Sequence, residues 1–402
     1  MPIPDAELVA SARSLVPDLV RWRRELHACP EIGYEERETT DYLARAVAGM
    51  GLEAVRRTPT GLWADIGGHG GGARVLVRAD IDGLPVAEQT GLPFASRNAG
   101  RMHACGHDAH MAMALGAARL LLAHADALPG GVRLLFQPAE EGGGGARQMV
   151  DAGVLEGVRA AVGQHVFARV PEGPLPTGRA VVGEGPVMAA ADRFAVTVRG
   201  VGGHGSMPHL SVDTIPIAAQ IVVGLQQVVA RQLNPQRPAV LSIGTIRGGF
   251  AASVIAPETV IEGTIRTFDA DTRERLRAHL TAIAEGTAAA YGARAEVVHY
   301  DGYPEVVNDP GATAAARDAV RAVLGEGALV PGDPLMASED FSYYGQVVPS
   351  AFIFLGAGNP AAGADSANHD PHFSVDEAAL PLGAALLAAA ALRLAALREP
   401  ST

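Results

Sequence analysis

The sequence has little of what marks secreted, membrane-spanning or nucleic-acid-binding proteins. It contains two cysteines, Cys29 and Cys105, and its charged, proline-containing N-terminus is unlike a secretory signal, so a disulfide framework is not expected. The longest apolar stretch, 384–397, contains Arg393 and is shorter than the ~20 residues of a membrane-spanning helix. Basic residues form no run and the net charge is −12, which argues against nucleic acid or an anionic membrane as a partner. We therefore expect a soluble, cytoplasmic protein.

Aromatic residues are also scarce, at 5% of the chain, whereas apolar residues reach 48%. Much of the glycine falls in short clusters between apolar runs, where turns and close backbone approaches are needed. A chain of 402 residues is longer than one ordinary hydrophobic core supports, so we expect two or three domains.

Short apolar strands alternate with helical segments over much of the chain. Strand patterns occur at 74–79, 132–136, 160–163 and 351–355, and a helical pattern occurs at 111–125. Alternation of this kind is typical of α/β proteins. The sequence therefore predicts a mostly parallel sheet flanked by helices.

The central region has its own order of elements. Between 187 and 301 the pattern is strand, helix, strand, strand, helix, strand, which matches the ferredoxin-like arrangement. We therefore predict an inserted α+β domain at 187–301, within a larger α/β domain formed by 1–186 and 302–402.

Side chains able to bind metal fall just after the predicted strands. Asp80 and Asp82 follow the first strand, Glu140–Glu141 follow the second and His165 follows the third. Open α/β sheets form their sites at the carboxyl ends of strands. Each feature alone has an ordinary explanation, because adjacent carboxylates usually lie in a solvated loop and a single histidine is more often a hydrogen-bonded core or surface residue.

The segment His103–His110 is harder to explain without a metal. It places three histidines, one cysteine and one aspartate within eight residues. It is not a zinc-finger pattern, because no second cysteine pair exists. Imidazole, thiolate and carboxylate together suit two divalent ions of zinc, manganese, cobalt or nickel. One glutamate of the pair Glu140–Glu141 can then bind metal while its neighbour transfers a proton.

These residues lie in motifs that resemble those of one family. The matching stretches are Leu26–Glu31, Arg78–Pro85, Met102–His110, Phe136–Gly142, Gly202–His209, Ser338–Phe341 and His369–Phe373. In order, and over nearly the whole chain, the sequence resembles the amidohydrolase branch of the two-metal aminoacylase and carboxypeptidase family. That branch includes N-acyl-amino-acid amidohydrolases, hippurate hydrolases and plant auxin-conjugate hydrolases.

The resemblance implies a role for each matching position. Glu140 would be the general base and acid, and Asp82 would orient a metal ligand. His204 would stabilise the oxyanion from the partner subunit of a homodimer, and the inserted domain would act as lid and dimerisation unit. The metal ligands would be Cys105, as a bridging thiolate, with His107, Glu141, His165 and His369.

Three positions bear on the substrate and on the choice of ligand. Ser253 stands where family members usually carry asparagine, which implies a different contact on the acceptor side of the pocket. Arg266 either binds the carboxylate of the substrate or pairs with an acidic side chain in the lid. His369, rather than His372, aligns with the His-x-Pro pattern of the family.

The activity implied by the resemblance is metal-dependent hydrolysis of a small N-acyl amino acid, acetyl-, benzoyl- or similar, to a carboxylic acid and an amino acid. The alternative is a metal-dependent dipeptidase or aminopeptidase of the same fold. Cys105 favours the amidohydrolase, because the peptidase branches normally carry aspartate at that position. A non-catalytic scaffold would require a broken site, whereas every expected ligand and the base are present.

Overall fold

Helices and strands alternate through most of the chain. The computed structural model describes residues 4–68, 72–128, 130–171 and 173–397. The helices are α1 (Asp5–Ser14), α2 (Val16–His27), α3 (Arg37–Gly49), α4 (His107–Leu122), α5 (Gly145–Asp151), α6 (Thr214–Gln227), α7 (Ala270–Ala290), α8 (Pro310–Leu324), α9 (Ser342–Gly345) and α10 (Ala379–Ala396). The strands are β1 (Leu62–Gly67), β2 (Arg74–Asp80), β3 (Gly131–Gln137), β4 (Val158–Phe167), β5 (Arg169–Val170), β6 (Gly173–Pro174), β7 (Ala180–Val181), β8 (Gly185–Met188), β9 (Ala190–Arg199), β10 (Gly203–His204), β11 (Ala239–Gly248), β12 (Val254–Ile255), β13 (Glu258–Thr267), β14 (Arg294–Tyr300), β15 (Val306–Asn308) and β16 (Ser350–Gly356).

The chain forms two compact units. The predicted insert, 187–301, lies within the second unit, which also contains a short segment from much later in the chain. The first unit comprises Met1–Gly185, Val307–Asp333 and Asp340–Thr402, and the second comprises Pro186–Val306 and Pro334–Glu339.

A six-stranded sheet forms the centre of the first unit, in the order β1-β3-β2-β4-β16-β7. The strands β3, β2, β4 and β16 run parallel, whereas β1 and β7 pair antiparallel at the two edges. Every residue of β3 and β16 is buried, which is typical of parallel strands covered on both faces. The predicted mostly parallel sheet flanked by helices is confirmed.

Two apolar helices, α4 and α10, pack against each other and against this sheet. A Cβ added to Gly116 of α4 would lie 2.8 Å from Ala384 Cβ, and one added to Gly383 of α10 would lie 2.2 Å from the Met113 sulfur. Glycine at both positions therefore lets the helices approach closely. Two helical stretches, Thr214–Gln232 and α10, are apolar and long enough to cross a membrane by composition alone, but 67% of the apolar window of α10 is buried inside the fold. That burial is typical of a core helix.

The second unit is built on an antiparallel sheet in the order β11-β13-β9-β14, with α6 and α7 packed against it. Its chain order, β9-α6-β11-β13-α7-β14, is the ferredoxin-like order expected from the sequence. Along β9, buried residues alternate with more exposed ones, so one face of the sheet packs on the helices. The core of this unit includes Phe194, Val196, Ile221, Ile261 and Leu280.

Candidate metal centre

The candidate centre lies at the carboxyl ends of the parallel strands in the first unit. Asp80, the last residue of β2, is in register with Gln137, the last residue of β3. On the other side of β2, β4 contributes His165, and α4 begins at His107. Asp80 and His165, predicted to follow their strands, lie within the last residues of β2 and β4. The metal-binding side chains from separate strands therefore meet at one edge of the sheet.

The five predicted metal ligands come together at this edge. The donor atoms of Cys105, His107 and His165 lie within 4.8 Å of one another, and so do those of Cys105, Glu141 and His369. Cys105 Sγ is 3.3 Å from His165 Nε2, and His369 Nε2 is 3.2 Å from Glu141 Oε1. Cys105 belongs to both groups, as expected of a ligand shared by two ions.

The chemistry of these side chains fits divalent cations. His107 Nε2 is a buried atom that has no hydrogen-bond partner within the described residues, although buried polar atoms normally have one. The buried Glu141 Oε1 faces His369 Nε2 at 3.2 Å. Burial, reinforced by the carboxylates of Glu141 and Glu140, raises the pKa of the Cys105 thiol well above its usual value. A thiolate at this position therefore requires nearby cations, and two divalent ions would satisfy both the thiolate and His107 Nε2.

Asp82 connects two of the predicted ligands. Its carbonyl oxygen lies 2.8 Å from His107 Nδ1, and its Oδ2 accepts a 2.9 Å hydrogen bond from the Glu141 backbone N–H. An Nδ1 proton on His107 therefore points at Asp82, which leaves Nε2 to act as the donor. Burial opposes protonation of His107, but Asp80 and Asp82 raise its pKa to about 10. Cation binding at Nε2 thus competes with a proton.

Three unusual backbone conformations surround the donor groups. Gly106, directly before α4, has a φ of 87°, and a Cβ there would lie 2.4 Å from Val166 Cγ2. Ala139 and His369 have φ values of 51° and 71°, which residues with a side chain rarely adopt. The His369 N–H donates to the Ala104 carbonyl at 2.7 Å. Such conformations are concentrated at functional sites in proteins.

Glu140 is the more buried member of the glutamate pair. The residue is 6% exposed, and its Oε1 accepts a long hydrogen bond of 3.4 Å from the Asp340 backbone N–H. One of its carboxylate oxygens lies within 4.8 Å of the donor atoms of His107 and Glu141. A carboxylate in this place is close enough to exchange a proton with a water molecule held at the donor groups.

The other two histidines of the His103–His110 cluster have different surroundings. The His110 Nδ1 lies 2.6 Å from Asp80 Oδ1, and its Nε2 accepts a 2.9 Å hydrogen bond from the Val166 N–H. Both ring nitrogens of His110 are therefore engaged in joining α4 to the sheet. His103 is 1% exposed, and burial lowers its pKa to about 4, so it is a neutral residue of the interior.

A buried network below the strand ends was not predicted from the sequence. The Arg78 guanidinium donates to Gln137 at 2.8 Å, to Asp80 at 2.7 Å and to Asp340 at 3.0 Å. Although burial opposes ionisation, His107 and Arg78 hold the pKa of Asp80 well below its usual range. Arg78 and Asp340 each lie in a motif of the resemblance, but no sequence pattern indicates that they contact each other.

The remaining predicted site residues, His204, Ser253 and Arg266, belong to the second unit. His204 lies in β10 and is exposed, and its Nδ1 accepts a 3.1 Å hydrogen bond from the Ser206 N–H. His204 and Ser253 line one open pocket of about 430 Å³. Arg266 is half-buried and donates to the Ile265 carbonyl at 3.0 Å. Within the described part of the chain, Arg266 has no ion-pair partner.

Most of the sequence matches one known family. The model of Peptidase family M20/M25/M40 aligns with residues 76–393. The chain belongs to this family. The match begins in β2 and ends in α10, so it includes all five predicted metal ligands.

Curated relatives of this M20/M25/M40 family member match most of its length. N-acetyl-L-cysteine deacetylase of Bacillus subtilis (strain 168) is 40% identical over 96% of this chain and 91% of its own. Thermostable carboxypeptidase 1 of Saccharolobus solfataricus is 39% identical over 94% of this chain and 96% of its own. N-acyl-L-amino acid amidohydrolase of Geobacillus stearothermophilus is 42% identical over 77% of this chain and 83% of its own. The chain is accordingly an M20-family hydrolase of the amidohydrolase type.

Among solved structures, a Bacillus subtilis protein described as a dinuclear metal binding peptidase from the M20 family has a TM-score of 0.82 at 37% identity. The match covers 94% of this chain and 98% of that chain. The expected family and fold are confirmed. So is the expectation of two divalent ions, because the donor groups around Cys105 supply the residues to hold them.

Proposed function

We propose that this enzyme hydrolyses the amide bond of a small N-acyl amino acid, releasing a carboxylic acid and a free amino acid. The observation that carries the proposal is Cys105, whose sulfur belongs to both donor groups while Glu140 stands beside them. A thiolate in the shared position is the mark of the amidohydrolase branch that the sequence resembles.

Glu140 is the residue that we assign to proton transfer. Two divalent ions, when bound, polarise the substrate carbonyl and lower the pKa of water. The Glu140 carboxylate accepts a proton from the attacking water while the water oxygen bonds to the acyl carbon. The same carboxyl then delivers the proton to the amino-acid nitrogen as the C–N bond breaks. Asp82 keeps His107 and Glu141 in the orientation that this reaction requires.

We assign to His204 the stabilisation of the negative charge that develops on the substrate carbonyl oxygen. Its Nδ1 accepts from the Ser206 N–H, so a neutral His204 carries its proton on Nε2. An exposed Nε2–H is the donor that an oxyanion needs. Arg266 is assigned to binding the substrate carboxylate, since its guanidinium has no ion-pair partner within the described residues. Ser253 is assigned to the acceptor side of the pocket.

We further propose that the enzyme is a cytoplasmic homodimer assembled through the second unit. The strand β11 is at the edge of its sheet and pairs with β13 on one side. Ile246 on β11 is 51% exposed, and Val223 on α6 is 62% exposed. An open strand edge together with exposed apolar side chains suits pairing with a second copy about a two-fold axis. In such a dimer each His204 serves the site of the partner, and a measured solution mass of one chain would refute the assembly.

A substrate panel tests the proposed reaction. The metal-loaded enzyme is given N-acetyl and N-benzoyl amino acids, dipeptides with a free amine, and matched N-acyl amines that lack the α-carboxylate. We expect the N-acyl amino acids to have the highest kcat/KM, and the compounds without a carboxylate to be weaker. In Arg266→Ala, the difference caused by the carboxylate should shrink.

The main alternative, a dipeptidase or aminopeptidase of the same fold, predicts the opposite ranking. A free amine on the substrate would then raise kcat/KM above that of the matching N-acetyl compound. A dipeptide as the best substrate would therefore overturn the amidohydrolase assignment while leaving the metal centre intact.

A further inference from the structure

Glu36 is a buried carboxyl next to the loop that carries the glutamate pair. The residue is fully buried, and its Oε1 accepts a 2.7 Å hydrogen bond from the backbone N–H of Ala139. Burial raises the pKa of Glu36 to about 7. Within the described residues no cationic side chain pairs with it, so an ion pair does not account for its position.

The backbone that Glu36 contacts has a constrained conformation. Ala139 has a φ of 51°, in the left-handed region that disfavours a residue with a Cβ. Glu140 and Glu141 follow it directly, so the direction of the chain at Ala139 determines where both carboxylates point. The Ala139 carbonyl also accepts a 3.1 Å hydrogen bond from the Gly145 N–H, which closes the loop on itself.

The residues just before Glu36 contact the same loop from outside. The Tyr34 hydroxyl donates to the Gly143 carbonyl at 2.7 Å. A Cβ added to Gly33 would lie 3.0 Å from Ala139 Cα, and one added to Gly143 would lie 2.6 Å from Ala139 Cβ. The segment Gly33–Glu36 therefore packs closely around Ala139, and Glu36 supplies the hydrogen bond that fixes the peptide N–H.

We propose that Glu36 is a positioning residue, which holds Ala139 in its left-handed conformation and thereby sets the placement of Glu140 for proton transfer and of Glu141 for metal binding. It acts through the backbone alone. This inference rests on the roles proposed above for the two glutamates.

The test compares Glu36→Ala, Glu36→Gln and the matched control Glu35→Ala in the metal-loaded enzyme. Loss of a residue that supports metal ligands typically lowers activity or metal affinity about 10–100-fold. We therefore expect Glu36→Ala to lower kcat by about that factor, with KM little changed, and to release metal at about 10–100-fold lower chelator concentration. Glu36→Gln keeps an oxygen that can accept from Ala139, so it should restore most of both properties.

Glu35 provides the control because it is the adjacent carboxylate but points outward. Its side chain is 59% exposed and pairs with Arg101 at 2.9 Å. Glu35→Ala removes the same charge one position away, and it should leave kcat and metal retention near those of the unmodified enzyme. A comparable loss in Glu35→Ala would show that net charge, rather than the bond to Ala139, is responsible, and would overturn the proposal.

A second variant tests the conformational argument. Glycine adopts positive φ readily, so Ala139→Gly should make Glu36 less necessary. In that background Glu36→Ala should cost a smaller factor in metal retention than it does in the unmodified chain. An equal factor in both backgrounds contradicts the proposal, as does a Glu36→Ala enzyme with unchanged metal retention.

Two features of the design keep the result interpretable. If Glu36→Ala does not fold, Tyr34→Phe and Glu36→Gln decide the matter, because Tyr34 is 42% exposed and its hydroxyl can be removed without disturbing the core. Tyr34→Phe should weaken metal retention by a few-fold, and no change would count against the proposed support of the loop. Metal retention needs no substrate, so it tests Glu36 even where the substrate panel refutes the proposed reaction.

Discussion

The polar side chains of the candidate site are mostly buried in the first unit and mostly exposed in the second. In the first unit, Arg78, Asp80 and Asp82 are at most 1% exposed, and each contacts other buried polar groups around the donor atoms. In the second unit, His204 and Ser253 are exposed, and Phe250 beside them is 78% exposed. Buried polar groups are rigid because each must keep its partner. The first unit thus holds its donor groups within its own fold, whereas the second leaves His204 and Ser253 exposed.

The largest effect should come from removing the cations that the first unit is built to hold. Prolonged chelation should abolish activity, and adding back manganese, zinc, cobalt or nickel should restore it. Cys105→Ser should lose metal at lower chelator concentration, because a hydroxyl is a poorer ligand than a thiolate. Cys29→Ser is the matched control, since Cys29 lies outside both donor groups. Full activity in rigorously metal-free enzyme would contradict the assignment.

The next largest effect should follow Glu140→Gln. This change keeps the shape of the side chain but removes the base, so turnover should fall by about 10²–10⁴-fold while metal content stays constant. Glu141→Gln is the variant for comparison, because loss of a metal ligand should reduce the metal content. Near-normal turnover in Glu140→Gln would contradict the assignment of proton transfer to Glu140.

The exposed histidine of the second unit calls for a mixing experiment. Glu140→Ala and His204→Ala enzymes should each be nearly inactive. If His204 acts on the partner's site, a mixed dimer contains one complete site, and random exchange of equal amounts should restore about a quarter of the sites. If His204 acts within its own chain, no site becomes complete. Absence of recovery, with mixed dimers confirmed by native mass spectrometry, would refute the assignment in trans.

The smallest effect concerns Asp192, a well-buried carboxylate of the second unit. Asp192 is 2% exposed, accepts from Arg273 Nε at 2.7 Å and from the Gly302 N–H at 3.0 Å. Burial opposes its ionisation, but these bonds lower the pKa of Asp192 below 3.8. Asp192→Asn should therefore cost about 1.5–3 kcal/mol of unfolding free energy at neutral pH.

The same variant should show a defined dependence on pH. Because the folded pKa of Asp192 is below its ordinary value of 3.8, its stabilisation is present above that pH and disappears as pH falls through the folded pKa. The difference between Asp192→Asn and the unmodified enzyme should shrink accordingly in acid. Asp301→Asn is the control, because the Asp301 side chain is 77% exposed and a surface pair contributes about 0–1 kcal/mol. A pH-independent difference would mean that the carboxylate charge is not what stabilises this unit.

Much of the fold could be predicted because its strands are short apolar runs bounded by turns. The predicted strands at 74–79 and 132–136 correspond to β2 and β3. The predicted helix at 111–125 begins earlier, at His107, because Gly106 takes a left-handed conformation and polar residues fill the first buried turn. Apolar periodicity does not reveal a turn of that kind. The edge strand β1 was not predicted, since its antiparallel pairing with β3 depends on a distant partner.

The candidate site was predictable where residue type alone points to metal, as with Cys105 and His107. The residues that support it were not predictable. Glu36 and Ala139 are 103 positions apart, and their bond joins a carboxylate that looks like a surface residue to an N–H that no sequence pattern marks. Asp340 meets Arg78 across 262 positions in the same way. Support of this kind depends on tertiary folding, which brings distant polar groups together after the local elements form.

The close packing of α4 against α10 has a consequence for how the enzyme is made. The helix that begins with His107 is covered by Ala384 and its neighbours, and His369 also comes late in the chain. A ribosome has therefore synthesised nearly all the first unit before the side of α4 that faces α10 can be covered. Because His369 is one of the five predicted ligands, the full ligand set exists only once the chain has been synthesised past residue 369.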